Sequence, residues 1–202
     1  MSAKNYNKFG IVGLKNIGNT CFLNSCLQAL SNTPELNKLL DKKQKLNNNS
    51  DGIILDEWNE LRQLMWTNNG IISPNKFVRS VQNVAKEKSR DIFTGWSQND
   101  ISEFLLFMME CIHNSISRSV IVNINGKNEQ NIDALAVKCY THLKETYAKE
   151  FSEINEMFYG IQVTELLSID KNIKRSVKPE QYFIIDLPLP NKPNINIYDC
   201  FD

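Results

Sequence analysis

The sequence predicts an α+β fold in which a helical body comes first and strands follow. Three observations predict it. Apolar residues recur at helical spacing in four runs and again in a long stretch from 132 to 157. Beyond Gly160 the pattern changes to short β-like runs, GIQVTELLSI and then QYFIIDLPLP. Polar segments part the helical runs: KKQKLNNNSDG at 42–52, and VNINGKNEQN at 122–131 with its Asn125-Gly126 turn signal.

In chain order, residues 1–12 read as a flexible start. In GLKNIGNTCFLNSCLQAL, Gly13 and Gly18 bracket a loop of little bulk, and Asn19 and Thr20 are good N-cap types. Leu23, Cys26, Leu27 and Leu30 then recur at helical spacing, which puts Cys21 in the first turn. A helix near 54–66 carries Ile54, Trp58, Leu61 and Met65 on one face. Over 72–89, Ser73 as N-cap and Pro74 at the first helical position start a helix with Phe77, Val78, Val81 and Ala85 inside. Within 96–116, Ile101, Phe104, Leu105, Met108 and Ile112 form a stripe. Leu135, Cys139, Leu143, Tyr147, Phe151 and Ile154 give one long amphipathic stretch that closes the helical body. Finally Phe183, Ile185 and Leu187 alternate before Pro188 stops a strand. The expected division is 13–157 for the helical region and 158–202 for the start of the β region.

A cysteine at a helix start has a chemical consequence. Unpaired N–H groups and the positive end of the helix dipole favour thiolate over thiol, which makes Cys21 a usable nucleophile. The Asn16 amide, five residues upstream in a Gly-containing turn, is placed to donate to the carbonyl under attack, an oxyanion-hole role. The alternative is that Cys21 is a small buried hydrophobe. Asp100 and Glu103 project from the start of their helix. Ser97 with Asp100 three residues on is also a capping-box pattern, so Asp100 has a structural reading beside a binding one. Among the histidines, His113 and His142, the first lies thirteen residues past Asp100, on the order of 20 Å along the helix. The second sits beside Leu143 and Cys139 as a packing or surface residue.

Composition excludes several classes. The 202 residues are 42% hydrophobic, with 23 Lys+Arg against 23 Asp+Glu, so a core is affordable and no basic field for nucleic acid exists. The N-terminus MSAKNYNKFG lacks an apolar signal region and no run is long enough to span a membrane. Five cysteines, odd in number and without a C-x-x-C pair, fit a reducing compartment, cytoplasmic or nuclear.

GLKNIGNTCFLNSCLQAL resembles the cysteine box of the ubiquitin-specific proteases, the papain-like deubiquitinases. Gln98-Asn99-Asp100-Ile101-Ser102-Glu103-Phe104 resembles the family's Gln-Gln-Asp-x-x-Glu-Phe box. The resemblance implies a papain-like ubiquitin-specific protease fold, a helical thumb followed by the first strands of fingers and palm, incomplete in these residues. It implies Cys21 as nucleophile, Asn16 as oxyanion donor, and Gln98, Asp100 and Glu103 as contacts for the arginine-bearing tail of ubiquitin, a cation that suits carboxylates. Phe158-Tyr159-Gly160 matches the lead-in to the family's fingertip zinc pair, but Ser168 and Lys171 stand where that pair is expected. No metal and no cofactor are expected, since zinc takes thiolate, imidazole or carboxylate.

The family's histidine box is absent from these residues. Two classes therefore stand: a thiol deubiquitinase whose base comes from a separate C-terminal half, the gene being split, truncated or paired with another chain, and a catalytically inactive ubiquitin-binding module or pseudoenzyme. In both, the partner is ubiquitin or a ubiquitinated protein, with no nucleic acid and no membrane.

Overall fold

Residues 10–42, 44–126, 129–166 and 176–201 are described by the computed structural model. Ser168 and Lys171 lie outside the described residues. The fold is mixed α+β, as the sequence predicts, and falls into two units, Met1–Phe158 and Tyr159–Asp202.

In the first unit, β1 (Gly13–Leu14) leads to α1 (Cys21–Ser31), which buries Leu23, Cys26, Leu27 and Leu30 as its spacing requires. A short helix unforeseen from the sequence, α2 (Pro34–Leu40), follows and buries Leu36, Leu39 and Leu40. Helix α3 (Asp51–Thr67) places Ile54, Trp58, Leu61 and Met65 inside and packs on α4 (Asn75–Glu87) and α5 (Ile101–Ile116). Trp58 meets Phe77 edge to face at 6.2 Å. Pro74 occupies the N-cap of α4, its carbonyl accepting from the Val78 N–H at 3.0 Å, so the helix starts just after the expected position. Strand β2 (Ile71–Ile72) pairs in parallel with β1, Gly13 opposite Ile71 and Leu14 opposite Ile72. Two-residue strands carry no periodicity, and the sequence did not reveal them.

Helix α5 corrects the expected stripe. Its buried row is Phe104, Phe107, Met108, Cys111, Ile112 and Ser115, while Ile101 is exposed. The helix begins at Ile101 with Asp100, not Ser97, as its N-cap.

The single amphipathic stretch expected over 132–157 is two helices, α6 (Asn131–Tyr147) and α7 (Glu153–Phe158). Phe151 leaves the helix because it is needed elsewhere. Its N–H and carbonyl exchange hydrogen bonds with Arg118 at 2.8 and 2.9 Å, and the Arg118 guanidinium lies 5.1 Å from its ring centroid. Arg118 also grips Glu153 at the start of α7 with two hydrogen bonds of 2.8 and 3.1 Å. These contacts outweigh one more turn of helix, whose propagation gains little per residue.

The second unit holds an antiparallel hairpin of β3 (Gly160–Leu166) and β4 (Ser176–Tyr182), paired from Gly160 with Tyr182 to Leu166 with Ser176. The second strand therefore lies N-terminal to the expected one. Residues 183–189 are not in a strand, because every β3 position is already matched within 176–182 and the alternating Phe183, Ile185 and Leu187 have no ladder to join. Pro179 is tolerated because the two-stranded sheet consists of edges. A Cβ at Gly160 would come 2.6 Å from the end of the Tyr182 ring, so any larger residue there would push that ring aside. Among the described residues no helix is long and apolar enough to cross a membrane.

Candidate active site

Cys21 is the first residue of α1 and is exposed. The other thiols differ. Cys26, Cys111 and Cys200 are buried, and Cys139 is partly so. Burial pushes the Cys26 thiol up to about 12. Burial also raises Cys111, with the neighbouring Asp51 carboxylate adding to it. The buried-hydrophobe alternative thus describes Cys26 and Cys111, not Cys21.

The loop before Cys21 is held by the side chain of Asn16. Its Oδ1 accepts from the N–H groups of Gly18 and Thr20, both at 3.1 Å, and from the Thr20 hydroxyl at 3.2 Å. Two backbone donors identify the oxygen end of the amide, because an NH2 group cannot accept from them. Asn16 Nδ2 is consequently the free end, and it has no acceptor among the described residues. Thr20 stands at the N-cap position without capping through its side chain; its hydroxyl instead accepts from the Ile17 N–H at 3.2 Å. The Cys21 and Phe22 N–H groups likewise have no acceptor among the described residues, as befits a helix start.

Two residues that sequence reasoning missed fix α1 to the incoming chain. Asn24 Nδ2 donates to the Leu14 and Lys15 carbonyls at 3.3 and 3.2 Å, and Gln28 Nε2 donates to the Val12 carbonyl at 2.7 Å. Their spacing of four along an apolar helix was the available signal.

The start of α5 lies beside the start of α1. Phe22 and Phe104 meet edge to face at 5.5 Å, and Asn19 Nδ2 donates to the Trp96 carbonyl at 3.0 Å across 77 residues of sequence. Asp100 Oδ1 accepts from the N–H groups of Ser102 and Glu103 at 2.7 and 3.1 Å. Its second oxygen has no partner among the described residues. Gln98 and Glu103 are exposed and their side chains have no partner among the described residues. Cys21 and Asn16 therefore share one loop and helix start, and residues 98–103 adjoin it.

No histidine joins them. His113 Nδ1 is 2.7 Å from Ser152 Oγ, and at 1.5 Å of rise per residue it is about 13 Å along α5 from Phe104. His142 lies within α6. Among the described residues no group of three or more His, Cys, Asp or Glu side chains is arranged to hold a metal ion.

Residues 12–183 match the family model for ubiquitin carboxyl-terminal hydrolase. The chain belongs to the ubiquitin-specific protease family of ubiquitin carboxyl-terminal hydrolases. It is 31% identical over 203 residues to ubiquitin carboxyl-terminal hydrolase 2 of Homo sapiens, covering 95% of this chain and 32% of that protein. To ubiquitin carboxyl-terminal hydrolase Usp2 of Drosophila melanogaster it is 30% identical over 208 residues, covering 100% of this chain and 21% of the relative. To ubiquitin carboxyl-terminal hydrolase 15 of Homo sapiens it is 28% identical over 208 residues, covering 96% of this chain and 20% of the relative. The chain thus spans a third or less of the length of these relatives.

Proposed function

We propose that this chain carries the nucleophile-bearing part of a thiol-dependent deubiquitinase, with residues 13–157 as its thumb-like region and 158–202 as the start of fingers and palm. One observation carries the proposal: an exposed thiol at a helix start, next to an Asn amide whose oxygen is tied back and whose NH2 is free. The Cys21 thiolate attacks the carbonyl at the ubiquitin C-terminus. Negative charge then develops on the carbonyl oxygen, where Asn16 Nδ2 and the unpaired helix-start N–H groups are available donors. Collapse expels the amine, which leaves with a proton, and water releases the acyl group from sulfur. Gln98, Glu103 and the uncommitted Asp100 oxygen receive the cationic tail.

The base that takes the thiol proton comes from residues outside these 202, in the same polypeptide or another. His113 is engaged with Ser152 and lies along α5 from the site. A general acid–base partner is worth roughly a hundred- to ten-thousand-fold, so the chain alone turns over at a trace rate. That same placement of His113 favours the second reading, a ubiquitin-binding module without hydrolysis.

Ubiquitin carrying a C-terminal Michael acceptor separates these from an unrelated role. Covalent capture at Cys21 is expected, abolished by Cys21→Ser and slowed by Asp100→Asn with Glu103→Gln. Reversible binding of ubiquitin with no adduct would select the second reading. Neither adduct nor binding would reject both. Vigorous hydrolysis by the chain with His113 and His142 both replaced by Ala would show that its base is not missing.

A further inference from the structure

Two consecutive residues before the thiol hold positive φ, Gly18 at 122° and Asn19 at 54°. The first is ordinary for glycine. The second is not free for a residue with a Cβ, although Asn is among the side chains that tolerate it best. Such a conformation persists where its surroundings impose it. Here the surroundings come from the other motif. Trp96 lies against Gly18, where a Cβ would meet the indole at 3.4 Å, and its carbonyl receives the Asn19 amide at 3.0 Å.

Trp96 is 52% exposed, so burial alone does not explain a tryptophan at this position. Asn19 is exposed too, yet its side chain is committed across 77 residues of sequence. Both hold a turn whose next residues are Thr20 and Cys21. Within that turn the Gly18 and Thr20 N–H groups point at Asn16 Oδ1, and this aims Asn16 Nδ2 outward. Releasing the clasp would let the turn rotate and scatter both the thiol and the amide.

We infer that Asn19 and Trp96 are positioning residues for Cys21 and Asn16: a clasp between the two motifs that sets the turn before the nucleophile. This rests on the function proposed above and adds to it a link between the cysteine loop and the segment leading into α5. Neither residue touches the reacting atoms.

The test follows alkylation of Cys21 by iodoacetamide, peptide by peptide, across pH in the 202-residue chain, with thermal unfolding measured alongside. Asn19→Gly keeps access to positive φ and removes the hydrogen bond; Trp96→Ala removes the indole; Trp96→Phe keeps an aromatic ring over Gly18. In Asn19→Gly the Cys21 rate near neutral pH should fall by roughly three- to tenfold, the worth of about one hydrogen bond, and in Trp96→Ala, which keeps the carbonyl but loses the indole packed on Gly18, it should fall as well. The pH midpoint of labelling should shift with it, and Trp96→Phe should recover most of the loss. Rates and midpoints that match the unaltered chain, with or without a lower unfolding temperature, would overturn the clasp and leave the proposed function standing. The proposed function fails on a different result: in the unaltered chain, Cys139 labels ahead of Cys21.

Discussion

Helices α5 and α6 are nearly equal in length, 16 and 17 residues, and both repeat apolar residues at helical spacing. Helix α5 buries eight residues; α6 buries none of its described side chains. The difference lies in how deeply each apolar face is covered. On α5 the eight buried residues, Phe104, Phe107, Met108, Met109, Cys111, Ile112, Ser115 and Ile116, recur at steps of three and four and cover a broad face. On α6, Leu135, Ala136, Cys139, Leu143 and Tyr147 also recur at steps of three and four, yet they are only half-buried, and Ile132, Val137 and Tyr140 are exposed. A period shows which way a helix is polarised, and whether that face is buried depends on what packs against it.

Truncation should break this comparison most sharply. Phe104→Ala or Met108→Ala removes a side chain with no exposure, and each should lower stability by about 2–5 kcal/mol. Leu143→Ala on α6 should cost less than about 1 kcal/mol. Urea unfolding of the three variants gives the ratio. Equal losses would mean that α6 packs as firmly as α5.

A pH dependence should follow next, again confined to α5. Burial holds the His113 imidazole below its ordinary value, against the raising influence of the Glu150 and Glu110 carboxylates. The unfolded chain then binds more protons than the folded one around and below the ordinary histidine value, about 6.5. Stability from this site is therefore complete above that pH and declines as pH falls through it. His113→Gln should flatten the decline when urea midpoints are compared at about pH 7.5 and about pH 5, on either side of the ordinary histidine value. An unchanged slope would place the proton uptake elsewhere.

Much of the candidate site was legible from residue type because its determinants are local. Helix starts announce themselves, and Cys21 stands at one. What escaped was non-local. The polar run after residue 42 reads as a loop, yet Asn47 and Asn49 send their amides to the α5 carbonyls at Asn114 and just beyond, closing the C-terminal end of that helix. Polar composition gives no hint of a partner about 65 residues away. The break between α6 and α7 was hidden likewise, since Phe151 fits the helical period and only Arg118 draws it out. In Asp100 the two readings meet, for it caps α5 with one oxygen and keeps the other free.

The smallest effect comes from the caps, which are chemically alike on the two helices. Asp100 Oδ1 accepts from two N–H groups at the start of α5, and Asp133 Oδ2 accepts from the Glu129 and Gln130 N–H groups at 3.0 and 2.8 Å at the start of α6. Removing either carboxylate should cost its own helix about 1 kcal/mol. The readouts differ because the helices are anchored differently. Asp100→Ala should lower the global unfolding midpoint, since α5 cannot open without the core opening with it. Asp133→Ala should leave the global midpoint within a few tenths of a kcal/mol and appear instead as faster hydrogen exchange along α6, which opens locally. Asp100→Asn serves as the control, because Asn caps about as well as Asp and removes only the charge offered to a cationic tail. If Asp133→Ala moved the global midpoint as far as Asp100→Ala does, α6 would unfold with the core despite its exposed surface, and the contrast in burial would not be a contrast in stability.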